Sequence, residues 1–235
     1  MPLEIGCICL EITDWSKLVD NLVKQGKLHS PQVIQAMRCV PRNKFLSPDV
    51  KAYAASDMPL QIGYGQTVSA PHMVAIMNEA LQLQLGNKVL EVGAGCGWHA
   101  ATMAEVIAPN MSPRSEWGHV YTVEVKQGLA EAARKNIMNA GYNDRVTIVT
   151  GDGSKGFAEK APFDRILVNA AVPNVPKTLI EQLKDGGILL VPVGCATALM
   201  QTLKKVTNLS GGRVKEENLG GVAFAPLLVE HDFSK

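Results

Sequence analysis

The chain has 235 residues, 46% of them hydrophobic and 19% charged, the balance of a folded globular protein and not of a disordered one. Lys and Arg number 23 against 22 Asp and Glu, so the net charge of +1 offers no overall field for nucleic acid or an anionic membrane. Five cysteines (Cys7, Cys9, Cys39, Cys96, Cys195), odd in number and without C-x-x-C spacing, argue against a disulfide framework and a zinc site; they fit a reducing cytoplasm, and no metal is expected.

The N-terminal stretch MPLEIGCICLEI has no basic n-region and carries Glu4 and Glu11, so it does not read as a signal peptide, and its Cys7-x-Cys9 pair reads as packing. No run approaches the ~20 apolar residues of a membrane helix. Helical spacing then appears over Trp15 to Gln25, closed by Gly26, and over Pro31 to Cys39, with Ser30 as N-cap, Pro31 at N1 and Pro41 as terminator. From Phe45 to Ser69 the chain reads as loop. Met73, Val74, Met77 and Leu81 mark a helix over Pro71 to Leu83, with Gly86 as its stop.

From Lys88 the pattern becomes regular. KVLEV reads as a buried strand, GAGCG as a turn, His99 to Ile107 as a helix, and HVYTVEV as a second strand after a polar loop over Ala108 to Gly118. Gln127 to Ala140 is a helix, RVTIVTGDG a third strand and turn, FDRILVNAA a fourth strand, Pro176 to Leu183 a helix, and GGILLVPVG a fifth strand. Strands alternating with helices predict a doubly wound, parallel α/β sheet. LMQTLKKVT and GGVAFAPLLVE read as two antiparallel strands around a polar turn, NLSGGRVKEEN. The length suits one domain: an N-terminal helical and substrate-loop extension (1–70), a cofactor-binding α/β core (71–194) and antiparallel C-terminal strands (195–235).

In an open parallel sheet ligands gather beyond the carboxyl ends of the strands. Those tips carry Glu91 with Gly93, Ala94, Gly95 and Gly97, then Glu124, then Asp152 and Gly153, then Asn169, Ala170 and Ala171. The dinucleotide spacing G-x-G-x-x-G would need glycine where the chain has Trp98. Glu124 is placed to accept hydrogen bonds from both ribose hydroxyls, and Asp152 from an adenine amine. Glu91 would repel a pyrophosphate but attract the cationic groups of S-adenosylmethionine, so the charges favour the methyl donor over NAD.

At this point the sequence resembles the protein-L-isoaspartate (D-aspartate) O-methyltransferase family. PLQIGYGQTVSAPHMVA, VLEVGAGCGWHAA, VYTVEV, GDGSKGF, APFDRILVNAAVPNVPKTLIEQLKDGGILLVPVG and FAPL follow in the family's order, from about Trp15 to Leu227. The resemblance implies a sheet of the class I S-adenosylmethionine-dependent methyltransferase type. It implies methyl transfer to the free α-carboxylate of L-isoaspartyl residues in damaged proteins, leaving S-adenosyl-L-homocysteine and an ester that collapses to a succinimide. It places Ser69 as the active-site serine, Thr67 and His72 near the cofactor, the Gly93–Gly97 loop on the methionine part, Glu124 on the ribose, and Asp152 and Gly153 at the adenine. Ile62, Gly65, Gln66, Ala170, Ala171 and Pro173 would meet the substrate. Asn169 stands where the family carries a small hydroxyl residue, Leu228 where many members have threonine, and the Ala108 to Gly118 loop is longer than usual.

Methyl transfer to a carboxylate needs no general base, because an unperturbed carboxyl group, with a pKa near ~3.5 to 4, is already ionised. Ser69 therefore has two readings besides nucleophile: N-cap of the following helix, or donor aiming the substrate carboxylate. No acidic partner for His72 is visible in the sequence, which speaks against a hydrolase triad. Other readings are a methyltransferase for RNA or a small metabolite, a non-catalytic S-adenosylmethionine-binding protein, and a nicotinamide dehydrogenase.

Overall fold

The computed structural model describes residues 14–195, 200–209 and 211–229; the Cys7-x-Cys9 stretch and the end of the last predicted strand lie outside them. Helix α1 (Asp14–Lys24) buries Trp15, Val19 and Leu22, one stripe at helical spacing. The Trp15 indole donates to the Met37 carbonyl at 2.8 Å, tying α1 to α2 (Pro31–Cys39). Ser30 is the N-cap of α2 by position, but its hydroxyl makes no capping bond; it donates to Glu79, whose other oxygen accepts the His29 and Ser30 amides at 2.9 Å each.

The stretch expected to be loop contains a hairpin of β1 (Leu60–Gly63) and β2 (Gln66–Val68). Strands this short carry too few alternations to register in a sequence. Its turn is the Gly63-Tyr64-Gly65 triplet, all at positive φ (88°, 56° and 69°), a conformation that glycine adopts freely and tyrosine does not. Helix α3 (Pro71–Leu81) ends two residues earlier than expected, at Gln82 in the left-handed region. Its N-cap is Ala70 and not Ser69, so the reading of Ser69 as a cap is corrected.

The main sheet comprises β3 (Lys88–Val92), β4 (His119–Glu124), β5 (Val146–Thr150), β6 (Phe163–Val168), β7 (Leu183–Val193), β8 (Gln201–Leu209) and β9 (Arg213–Val222). Their order is β5-β4-β3-β6-β7-β8-β9, with the first five parallel and the last two antiparallel. Helices α4 (Trp98–Ile107), α5 (Gln127–Ala140) and α6 (Lys177–Glu181) follow β3, β4 and β6. All ten residues of α4 are buried, because it is sandwiched between the sheet and α2.

The C-terminal hairpin differs from the expectation. The predicted polar turn is mostly strand β9, an exposed edge whose charges face water, and the reversal falls at Gly211 and Gly212, φ 79° and 74°. Beyond Val222 the predicted strand leaves the sheet edge and crosses toward Ala171, whose amide donates to Ala225 and whose carbonyl accepts from Leu227, both at 2.8 Å.

The 108–118 segment folds around Trp117, whose indole donates to the Pro109 and Ser112 carbonyls and whose ring lies 5.0 Å from both the Arg114 and Arg145 guanidinium carbons. It leads into the amino end of β4, away from the carboxyl-end crevice. Among the described residues no helix is long and apolar enough to cross a membrane.

Candidate active site

The strand order reverses around β3, flanked by β4 on one side and β6 on the other, which opens a crevice beyond their carboxyl ends. Two cavities occupy it. The first lies over the glycine loop between β3 and α4; the second, about 420 Å³, opens beside it toward α3 and the Ala223–Ala225 crossing segment. Gln66, Thr67, Ser69, Asn169 and Ala170 line both and form their shared wall.

Positive φ at Gly93 (92°), Gly95 (54°) and Gly97 (87°) bends the chain from β3 into α4. Space matters as well at Gly95, where a Cβ would lie 3.2 Å from Ile62 of the overlying hairpin. Glu124 holds the loop from the neighbouring strand: its Oε2 accepts the Gly95 amide and its Oε1 the Lys126 amide, both at 3.0 Å. Each carboxylate oxygen keeps a second lone pair, which suits a ribose diol. Gly153 lines the same cavity, pressed so close to β3 that a Cβ would sit 2.5 Å from a Val92 methyl. Asp152, expected at the adenine, lies outside both cavity walls, its Oδ1 accepting the Ser154 amide (2.9 Å) and hydroxyl (2.6 Å).

Glu91 is placed differently from the expectation of a charge facing the cofactor. Leu90 and Val92 point to one face of the sheet, so the pleat sends Glu91 to the other, fully buried and outside both cavity walls. Burial pushes its carboxyl up to about 8, against the pull of the Asn169 hydrogen bond. Asn169 Nδ2 donates to Glu91 Oε1 at 2.8 Å and to the Gly93 carbonyl at 3.3 Å, so Asn169 links Glu91 to the cavities it lines.

Beside it lies His99, its pKa lowered to about 3 by burial and its ring therefore neutral. Asn78 Nδ2 donates to Thr102 Oγ1 at 3.1 Å, which turns Asn78 Oδ1 toward His99 Nε2, also at 3.1 Å. The ring proton thus resides on Nε2 and leaves Nδ1 as an acceptor. His99 Nδ1, Asn169 Oδ1 and Glu91 Oε2 have no hydrogen-bond partner among the described residues. Of these, His99 and Asn169 line the first cavity, and two such acceptors suit a ligand bearing cationic N–H groups and fit S-adenosylmethionine.

On the substrate side, His72 lines the second cavity and not the first. An acidic partner does exist: Asp57 Oδ1 lies 2.9 Å from both the His72 backbone nitrogen and its Nδ1. Asp57 thereby caps the first turn of α3 from a distant loop, a task expected of Ser69. Fifteen residues separate the partners, and only the folding of β1 and β2 brings them together.

Of the other expected residues, Ile62, Ala94 and Gly95 line the first cavity. Gly97, Gly65, Ala171 and Pro173 lie outside both walls: Gly97 as N-cap of α4, Gly65 in the hairpin turn, Ala171 in backbone pairing and Pro173 exposed. Sequence reasoning missed Trp98, His99, Lys126 and Leu129 as lining residues, along with Phe224 of the crossing segment. Cys96 also lines the first cavity, with burial raising its thiol to about 11, so it stays protonated.

The sheet order, the glycine loop and the acidic strand tip define a class I S-adenosylmethionine-dependent methyltransferase. A solved protein-L-isoaspartate O-methyltransferase superposes with a TM-score of 0.77 at 29% identity, covering 89% of this chain and 64% of that one. A Plasmodium falciparum structure described as a protein-L-isoaspartate O-methyltransferase, in complex with S-adenosyl-L-homocysteine, shares the fold with a TM-score of 0.78 at 24% identity, covering 92% of this chain and 99% of that one. The family model for protein-L-isoaspartate(D-aspartate) O-methyltransferase matches residues 13–232. The protein-L-isoaspartate O-methyltransferases of Hyperthermus butylicus and Thermococcus onnurineus are 50% and 49% identical, covering 92% and 94% of this chain and 88% and 96% of theirs. The chain belongs to the protein-L-isoaspartate O-methyltransferase family.

Proposed function

We propose that this chain methylates the free α-carboxylate of L-isoaspartyl residues in damaged proteins, using S-adenosylmethionine and starting repair through a succinimide. One observation carries the assignment of roles: two cavities share a wall that includes Ser69, so a donor in one and a carboxylate in the other meet beside its hydroxyl. S-adenosylmethionine supplies an electrophilic methyl group on a cationic sulfur. The chain's own task is alignment, since the attacking carboxylate is ionised without a base and the reacting atoms must be held about 3 to 3.5 Å apart.

In this reading Ser69 donates a hydrogen bond to the substrate carboxylate and fixes which oxygen faces the methyl group. Glu124 holds the ribose, Asp152 and Gly153 the adenine, and the Gly93, Ala94, Gly95 and Gly97 loop the methionine part, with Thr67 at the shared wall. Glu91 acts on the methionine part through Asn169. Ile62, Gly65 and Gln66 of the hairpin, with Ala170, Ala171 and Pro173 opposite, border the path of an extended peptide. His72 borders the reacting groups from the substrate side. The net charge of +1 supports protein and not nucleic-acid substrates, and five cysteines without C-x-x-C spacing support work in the cytoplasm, away from membranes.

Matched peptides containing isoaspartate or aspartate, incubated with labelled S-adenosylmethionine, test the assignment. Label should enter the isoaspartyl peptide and not its partner. Equal labelling, or none, would overturn it.

A further inference from the structure

Arg42 is fully buried, yet none of the described carboxylates forms an ion pair with it. Its guanidinium instead donates to five backbone carbonyls. Nε reaches Ala54 (3.1 Å), Nη1 reaches Met58 (2.9 Å) and Ser69 (3.2 Å), and Nη2 reaches Tyr53 (3.3 Å) and Ser56 (2.7 Å). All five N–H groups of the side chain are engaged.

The arrangement has a geometric meaning. Four of the carbonyls belong to the turn over 53–58, which has little regular structure of its own, and the fifth is that of Ser69, on the far side of the β1–β2 hairpin. The donors of a guanidinium are fixed in one plane, so the five oxygens are fixed relative to one another. Asp57 rides on the same turn. Its carboxylate reaches forward to the backbone amide and ring of His72, three residues past Ser69. Ser69 is therefore bracketed, by Arg42 at its own carbonyl and by Asp57 at the start of the helix that follows it. Arg42 also lies 5.6 Å over the ring of Trp98, a wall of the first cavity, so the clamp is referenced to the cofactor side as well.

A salt bridge would have neutralised Arg42 with one partner and left the turn unconstrained. Five weaker bonds to carbonyls spread the same charge over the segment that must hold its shape. Burial lowers the Arg42 pKa to about 10, which leaves it a cation at neutral pH.

We propose that Arg42 and Asp57, neither of which lines either of the two cavities, are positioning residues for methyl transfer: together they fix Ser69 at the wall the cavities share and His72 on the acceptor side of it. The inference rests on the functional reading above, and its test separates the two. Asp57 is about one-third exposed, so Asp57→Leu and Asp57→Asn should both fold. S-adenosyl-L-homocysteine binding by calorimetry counts the competent sites, and turnover on an isoaspartyl peptide is expressed per site.

Asp57→Leu should keep its affinity for S-adenosyl-L-homocysteine within about threefold and lose at least about tenfold in kcat, with KM for the peptide changing less. Asp57→Asn, which retains the acceptor oxygen, should recover most of that loss. Arg42→Lys, with three donors in place of five, should follow Asp57→Leu in kcat per site. Wild-type turnover by Asp57→Leu, an Asp57→Asn enzyme as slow as Asp57→Leu, or a loss of cofactor affinity that accounts for the loss of turnover would each overturn the inference. Wild type that binds S-adenosyl-L-homocysteine but leaves the isoaspartyl peptide unmethylated would refute the functional reading beneath it.

Discussion

Ser69 illustrates how the surroundings of a residue narrow the roles open to it. Its place as helix cap is taken by Ala70 in position and by Asp57 in hydrogen bonding, which leaves its hydroxyl uncommitted to α3. Ser69→Ala should therefore lower kcat by about 10- to 100-fold, the worth of one hydrogen bond to a charged group. The thermal midpoint should move by no more than about 2 °C, because a lost cap, worth ~1 kcal/mol, would move it further. A variant that melts early but turns over normally would restore the capping role. Residue by residue, the site was partly legible. Glu124 stood out as an acidic strand tip, and the Gly63 to Met73 segment announced Ser69. Asp57 did not, because its pairing depends on a chain reversal, and the glycine loop next to Glu91 gives no sign that the pleat turns its carboxyl away from both cavities.

At the scale of elements, long periodic segments were easy to read and short ones were not. Strands β3 to β7 and helices α1 to α5 fall where apolar spacing puts them, with ends displaced by a few residues. The four- and three-residue strands of the first hairpin and the edge strand β9 did not register, since neither shows a sustained alternation of buried and exposed residues. The missed hairpin covers the glycine loop. Tyr64 at its tip reaches α5, where a Cβ on Gly128 would fall 2.0 Å from the tyrosine hydroxyl. Gly128→Ala should push Tyr64 aside and weaken S-adenosyl-L-homocysteine binding by about two- to fivefold. Tyr64→Ala should do the same, and the double variant should be no weaker than either single one, as expected for two changes that break one contact. Calorimetry decides this, and additive losses would show that the two residues act separately.

Over the whole molecule, two buried groups give stability a dependence on pH. Glu91 holds its proton in the folded state up to about 8 but in the unfolded chain only to about 4.5, so its contribution declines as pH rises between those values. His99, lowered from 6.5 to about 3, works in the opposite sense, adding stability as pH rises through that interval. The two oppose each other from about 4.5 to 6.5, and above that Glu91 acts alone. Denaturant midpoints should fall from pH 6.5 to 8 in the wild type and fall less in Glu91→Gln; parallel slopes would show that Glu91 is not the origin. The three tryptophans divide along the same axis as the sheet. Trp98 walls the first cavity with Trp15 edge-on at 5.7 Å, whereas Trp117 sits between two arginines near the amino end of β4. The molecule thus carries its own optical report: filling the cavity changes the surroundings of one indole pair, against a steady emission from the far end.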